Sequence, residues 1–226
     1  MKLTYFGHSC FSVEAAGRTL LFDPFITPNP LAARIDINSI KADYILLSHG
    51  HADHVADAPA IARRTGAPVI AAFEVANWAA ANGAPSTRPM NHGGTAAFDF
   101  GTVKLTNAIH SSSLPDGAYG GNPAGFLVTI GGETFYYSGD TALTCDMKLI
   151  GELVKLKFAV LPIGDNFTMG YADALTASEF VKCDRIVGVH YDTFPPIKID
   201  RAKAVEFFRQ ANRTLHLPAI GDSVVF

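Results

Sequence analysis

Cysteine is scarce in this chain. The 226 residues contain three, Cys10, Cys145 and Cys183, with no CxxC pair. That is too few and too scattered for a disulfide framework, so a reducing compartment is expected. Charge is also thin, at 17% of residues, and the balance is −3 from 18 basic and 21 acidic side chains. No run of Lys or Arg stands out, which argues against nucleic acid or an anionic membrane surface as a partner. No segment reaches the roughly 18 continuous apolar residues of a membrane span. The opening Met-Lys-Leu-Thr-Tyr-Phe-Gly-His turns polar too early for a signal peptide. A cytoplasmic protein is expected. No Gly-x-Ser-x-Gly elbow is present, and neither a linker nor a repeat interrupts the chain. What is abundant is apolar residues, 48% of the total, enough for one sizeable domain over 1–226.

Short strand-like runs and helical patterns alternate throughout. Strands are expected at 2–6, 11–14, 19–22, 44–48, 68–71, 95–98, 103–107, 126–130, 135–137, 158–161 and 185–189. Helices are expected at 55–64, 73–82, 146–154, 172–182 and, capped by Asp200, 200–210. Gly131-Gly132 marks a hairpin. Hairpins in the first half together with alternation later predict an α/β fold with mixed sheets. The glycine-rich stretch 116–125 reads equally as a long turn or as a flap over a site.

Chemistry concentrates at His49-Gly50-His51-Ala52-Asp53-His54, directly after the apolar run 44–48. Three imidazoles and a carboxylate in six residues are ligand types for zinc and related divalent ions. His49 and His51, as alternate residues of an extended segment, point the same way and can share one ion. Asp53 and His54 in the following turn then face a second. Two coordination spheres require further donors, each fixed at the end of an apolar strand. His110, Asp140 and His190 meet that condition, following 103–109, 134–139 and 185–189. Each alone is unremarkable, because a lone histidine after a strand is more often a packed or surface residue. Together they form a pattern.

The ordered set His-x-His-x-Asp-His, then His, Asp and His, resembles the metallo-β-lactamase superfamily. Gly7-His8-Ser9-Cys10-Phe11, Asp23-Pro24-Phe25 and 162–170 (Pro-Ile-Gly-Asp-Asn-Phe-Thr-Met-Gly) resemble its branch of small bacterial metal-dependent hydrolases, which is similar to the ascorbate-6-phosphate lactonase. The resemblance spans essentially the whole chain and is far more specific to superfamily than to substrate. It implies a four-layer αββα sandwich. It also implies His49, His51 and His110 on one metal, Asp53, His54 and His190 on a second, and Asp140 bridging.

Such a site predicts hydrolysis of a small ester, lactone, amide or phosphodiester by a metal-bound hydroxide. Asp53, Asp140 and His8 are the candidates for catalytic roles, and Asp165, Asn166 and Tyr191 for substrate contacts. Segment 191–196 is a candidate pocket wall. Zinc is the first choice of metal, with manganese or iron as alternatives. An iron-containing redox or metal-binding protein on the same scaffold is the competing reading. Asp23 either orients a ligand histidine or caps a turn. Cys10 is expected to pack, and His92 and His216 to be structural. The expected partner is a small molecule, and self-association is compatible with the apolar composition.

Overall fold

The computed structural model describes all 226 residues. The apolar alternation folds into two seven-stranded sheets. The first comprises β1 (Lys2–Gly7), β2 (Cys10–Ala15), β3 (Arg18–Phe22), β4 (Tyr44–Leu47), β5 (Val69–Ala72), β6 (Thr87–Met90) and the C-terminal β14 (Ser223–Val225), in the order β14-β1-β2-β3-β4-β5-β6. The second comprises β7 (Thr95–Phe98), β8 (Gly101–Asn107), β9 (Ala124–Ile130), β10 (Glu133–Tyr137), β11 (Leu156–Pro162), β12 (Arg185–Val189) and β13 (Thr214–His216), in the order β13-β12-β11-β10-β9-β8-β7. Each sheet is antiparallel in one half and parallel in the other: β4, β5 and β6 extend the first in parallel, and β11, β12 and β13 the second.

Side-chain alternation separates the core into layers. Phe11, Phe22, Leu46 and Ile70 of the first sheet meet Val103, Phe126, Tyr137 and Val187 of the second in one central cluster. On the outer face of the first sheet, Ile45, Leu47 and Val69 pack on α2 (Ala58–Thr65) and α3 (Phe73–Ala81). Outside the second, Tyr136, Leu161 and Ile186 pack on α4 (Asp146–Leu153), α5 (Tyr171–Phe180) and α6 (Arg201–Gln210). The result is the expected four-layer αββα sandwich. Strands such as β4 are buried on both faces, which is why they read as unbroken apolar runs.

Three local differences have physical causes. The helix expected at 55–64 is two pieces, α1 (Ala52–Val55) and α2. Between them the Asp57 carboxylate accepts the amides of Ile26 (2.6 Å) and Thr27 (2.8 Å), while Pro59 begins a new helix rather than continuing the old one. β6 carries Pro89 and survives because it is an edge strand. The stretch 116–125 is a closed turn. Gly120 N donates to Ser112 O, Leu114 N to Ala118 O, and Gly50 N to Ser112 Oγ, which ties the turn to the histidine cluster.

Candidate metal centre

The sequence-predicted donors converge at one end of the two sheets. His49 and His51 follow β4, and Asp53 and His54 lie in α1. His110, Asp140 and His190 follow β8, β10 and β12. Half the cluster therefore belongs to the first sheet and half to the second. Gly139 permits this approach, since a Cβ there would stand 2.6 Å from Ala124 O and 2.9 Å from Ser48 Cβ. His8, at the β1–β2 turn with φ +55°, joins the cluster, and its carbonyl accepts the His190 amide at 2.9 Å.

Donor atoms of His49, His51 and His110 lie within 4.8 Å of one another, as do those of His8, Asp53, His54 and His190. Asp140 stands between the two sets. Its Oδ2 is 2.9 Å from His190 Nε2, 3.2 Å from His54 Nε2 and 3.7 Å from His110 Nε2.

Hydrogen bonds fix which imidazole nitrogens are free. Asp23, fully buried at the end of β3, accepts from Ser48 N (2.7 Å), Ser48 Oγ (2.5 Å), Tyr137 Oη (2.6 Å) and His54 Nδ1 (2.8 Å). His54 thus carries its proton on Nδ1 and turns the Nε2 lone pair toward the cluster. Because the Ser48 hydroxyl donates to Asp23, its oxygen accepts from His49 Nδ1 at 2.9 Å. His49 Nε2 is left facing His51 Nδ1, 2.9 Å away. Asp23 therefore orients ligand-type histidines, as one of its two sequence readings held. Tyr137 and Ser48 were not foreseen in that network.

Three buried polar atoms inside the cluster, His54 Nε2, His190 Nδ1 and Asp140 Oδ1, have no hydrogen-bond partner. The 3.2 Å approach of His54 to Asp140 lacks hydrogen-bond alignment. Burial pushes the imidazoliums of His49, His51 and His110 down, so all three are neutral donors at neutral pH. For Asp53 and Asp140, burial alone would favour the acid. His54 and His8 outweigh it for Asp53, and His190 and His54 for Asp140, holding both carboxyls well below the usual range. Burial likewise opposes charge on His54, but Asp140 and Asp23 push its pKa up, so without an ion a proton takes the place on Nε2 that an ion would fill. The two carboxylates thus demand a cation at the point where the lone pairs converge, and neutral imidazoles with carboxylates fit divalent ions.

His8 is only 1% exposed, and burial lowers its pKa to about 4, so the ring is neutral. Asp53 is acceptor-only, so His8 Nε2–H donates to Asp53 Oδ2 (3.1 Å), and Nδ1 accepts from the Thr193 hydroxyl (3.0 Å). With both nitrogens engaged, His8 has no lone pair for an ion and no face toward a substrate. His8, a candidate for a catalytic role, is thus placed to position Asp53.

A cavity of about 280 Å³ opens onto the cluster at His51, Asp53, His110, Asp140 and His190. Its remaining walls are Ser111, Phe167 and Phe194. Phe194 lies in the predicted wall segment 191–196, whereas the expected substrate residues are elsewhere. Asp165 lines a separate cavity with Lys198 and Lys203, and Asn166 is exposed beside it. Tyr191 is buried, stacked on Tyr5 with centroids 6.2 Å apart. Phe167 and Ser111 carried no motif signal. His92 bonds Pro123 O at 2.8 Å, outside the site, and Cys10 is buried in the outer core, both as expected.

A two-layered β core with helices outside, and a histidine–carboxylate cluster where the sheets meet, define a metallo-β-lactamase-type metal protein. A model of the β-lactamase superfamily domain matches residues 18–191. A UPF0173 metal-dependent hydrolase from Flavobacterium johnsoniae is 51% identical over 99% of both chains. Another, from Methylacidiphilum infernorum, is 46% identical over 100% of both. The structure of Igni18, a metallo hydrolase from the archaeon Ignicoccus hospitalis, matches with a TM-score of 0.89 at 36% identity, covering 100% of this chain and 97% of that one. The chain belongs to the metallo-β-lactamase superfamily and, within it, to this family of metal-dependent hydrolases.

Proposed function

We propose that the chain hydrolyses a small ester, lactone, amide or phosphodiester at a dinuclear centre. His49, His51 and His110 would hold one ion, Asp53, His54 and His190 the other, with Asp140 between them; zinc is the first choice and manganese or iron the alternatives. One observation carries the reading: lone pairs of His49 and His54, aimed by Asp23 and Ser48, converge beside an unpartnered Asp140 oxygen. When bound, such a pair supplies Lewis acidity and brings the pKa of a water molecule from near 16 to about 7.

The chain's own groups supply the rest. Asp23 locks the tautomers of His49 and His54. His8 and Thr193 hold Asp53 at a fixed angle. Phe167 and Phe194 narrow the approach. We place the activity in the cytoplasm, a reading supported by three unpaired cysteines; no helix is long and apolar enough to cross a membrane.

The test is metal analysis of purified protein, with hydrolysis of a generic lactone and a generic phosphodiester measured with and without chelator. His49→Ala is expected to lose metal and activity together. Activity at the wild-type level in that variant, or a fully loaded protein inert on every hydrolytic substrate, would refute the assignment. A finer prediction concerns Thr193. Thr193→Val leaves His8 Nδ1 without its donor and frees Asp53 to swing, so affinity for one ion falls about 10- to 100-fold in chelator competition. Thr193→Ser restores it. Unchanged affinity in the valine variant would show that His8 does not position Asp53.

A further inference from the structure

We infer that the group the substrate carries beyond its scissile bond is uncharged and apolar, preferably a flat ring, and that Phe167 and Phe194 select it. The inference rests on the hydrolase reading but concerns a different part of the cavity. At about 280 Å³ the space is just below the range of roughly 300–1,000 Å³ usual for drug-sized ligands, so it suits one small molecule. Besides the candidate metal ligands it is lined by Phe167, Phe194 and Ser111, whose hydroxyl lies 3.3 Å from His51 Nε2, and no Lys or Arg lines it. The basic pair Lys198 and Lys203 belongs to a separate cavity that also holds Asp165 and Asp200. A phosphate or carboxylate remote from the scissile bond would meet apolar rings and no counter-charge.

The Phe194 ring is held in place by its neighbours, and the Phe167 ring is presented by its backbone. Phe194 lies edge-on to His8 at 5.4 Å, and Phe25 is 6.4 Å away. Phe167 is 53% exposed. It is carried there by two consecutive left-handed residues, Asp165 (φ +63°) and Asn166 (φ +57°), with its own amide donating to Asp165 O at 2.6 Å. Asp and Asn are among the few side chains that tolerate that region, so the chain makes this turn without glycine. The turn presents a phenyl ring at the mouth of the candidate metal centre.

The experiment uses Zn²⁺-loaded protein with phenyl acetate, methyl acetate and 4-sulfophenyl acetate, each rate normalised to hydroxide-catalysed hydrolysis of the same ester. Sulfonate is an anion and a poor metal ligand, so it reports on the distal pocket. Phenyl acetate is expected to lead, with the sulfonate on the order of tenfold lower in kcat/KM. Phe167→Ala and Phe194→Ala each raise KM for phenyl acetate about two- to tenfold and raise that for methyl acetate less, with metal content retained. A sulfonate ester turned over as well as phenyl acetate overturns the inference, as do ring deletions that affect methyl and phenyl esters equally. Saturation-transfer NMR with benzamide, acetamide and 4-sulfobenzamide gives a readout independent of turnover. Benzamide alone should bind, and only while both rings are present. If no ester is hydrolysed, the reaction reading fails for esters, and the binding result decides the pocket's preference by itself.

Discussion

Asp140→Asn should lower hydrolysis by about 10³-fold, the upper end of what loss of one electrostatic element costs, and should remove the stabilisation that metal confers. Asparagine keeps the shape and withdraws the charge. Asp140 Oδ2 stands within 4 Å of imidazoles from both donor sets, His110 in one and His54 and His190 in the other. Without it two neighbouring cations would lose their shared anion, and each would be bound more weakly. An ion present at a thousand times its Kd stabilises a folded chain by about 4 kcal/mol. For a chain of this length that is roughly 10 °C in Tm. Thermal unfolding with Zn²⁺ and with chelator measures the increment directly. A variant that retains both the increment and two ions per chain would remove Asp140 from the position between them.

The second large effect is on the protein itself. Asp23→Asn is expected to cost about 3–5 kcal/mol, the range for breaking a buried charged network from one side, and to lower Tm by about 10 °C or more even in chelator. Backbone strain does not enter, because Asp23 has φ +41° and asparagine tolerates the left-handed region as aspartate does. What changes is that an amide group, itself a donor, must face four donors from Ser48, Tyr137 and His54. Either the amide is left unpaired or His54 turns over and withdraws its Nε2 lone pair. Metal affinity should therefore fall along with stability, although Asp23 is not proposed as a ligand. Wild-type stability in chelator would mean that the network is incidental.

The site was legible in the sequence wherever strand ends carry it. β4, β10 and β12 end in apolar runs and β8 alternates, and each is followed within three residues by a His or Asp donor. The donors were therefore visible one by one and convincing as a set. Residues acting on those donors from afar gave no such signal. Tyr137 reaches Asp23 across 114 positions, and Thr193 reaches His8 across 185. Side-chain direction was the other blind spot. Asp165 and Asn166 looked like substrate contacts because they follow a strand, yet their left-handed backbone delivers the next residue, Phe167, to the cavity instead. Tyr191 follows His190, whose φ is +57°, and the turn sends its ring into the packing around Tyr5. The strands 214–216 and 223–225 were too short for their periodicity to register.

The division of the donors between the two sheets has a consequence for the protein's lifetime. His49 and His51 ride on one half of the sandwich and His110 on the other, so an ion gripping all three acts as a rivet, fitted only after the halves have met. A rivet set last resists opening without hastening assembly. Scarcity of metal would then leave the rate of folding untouched and shorten the time each finished molecule survives.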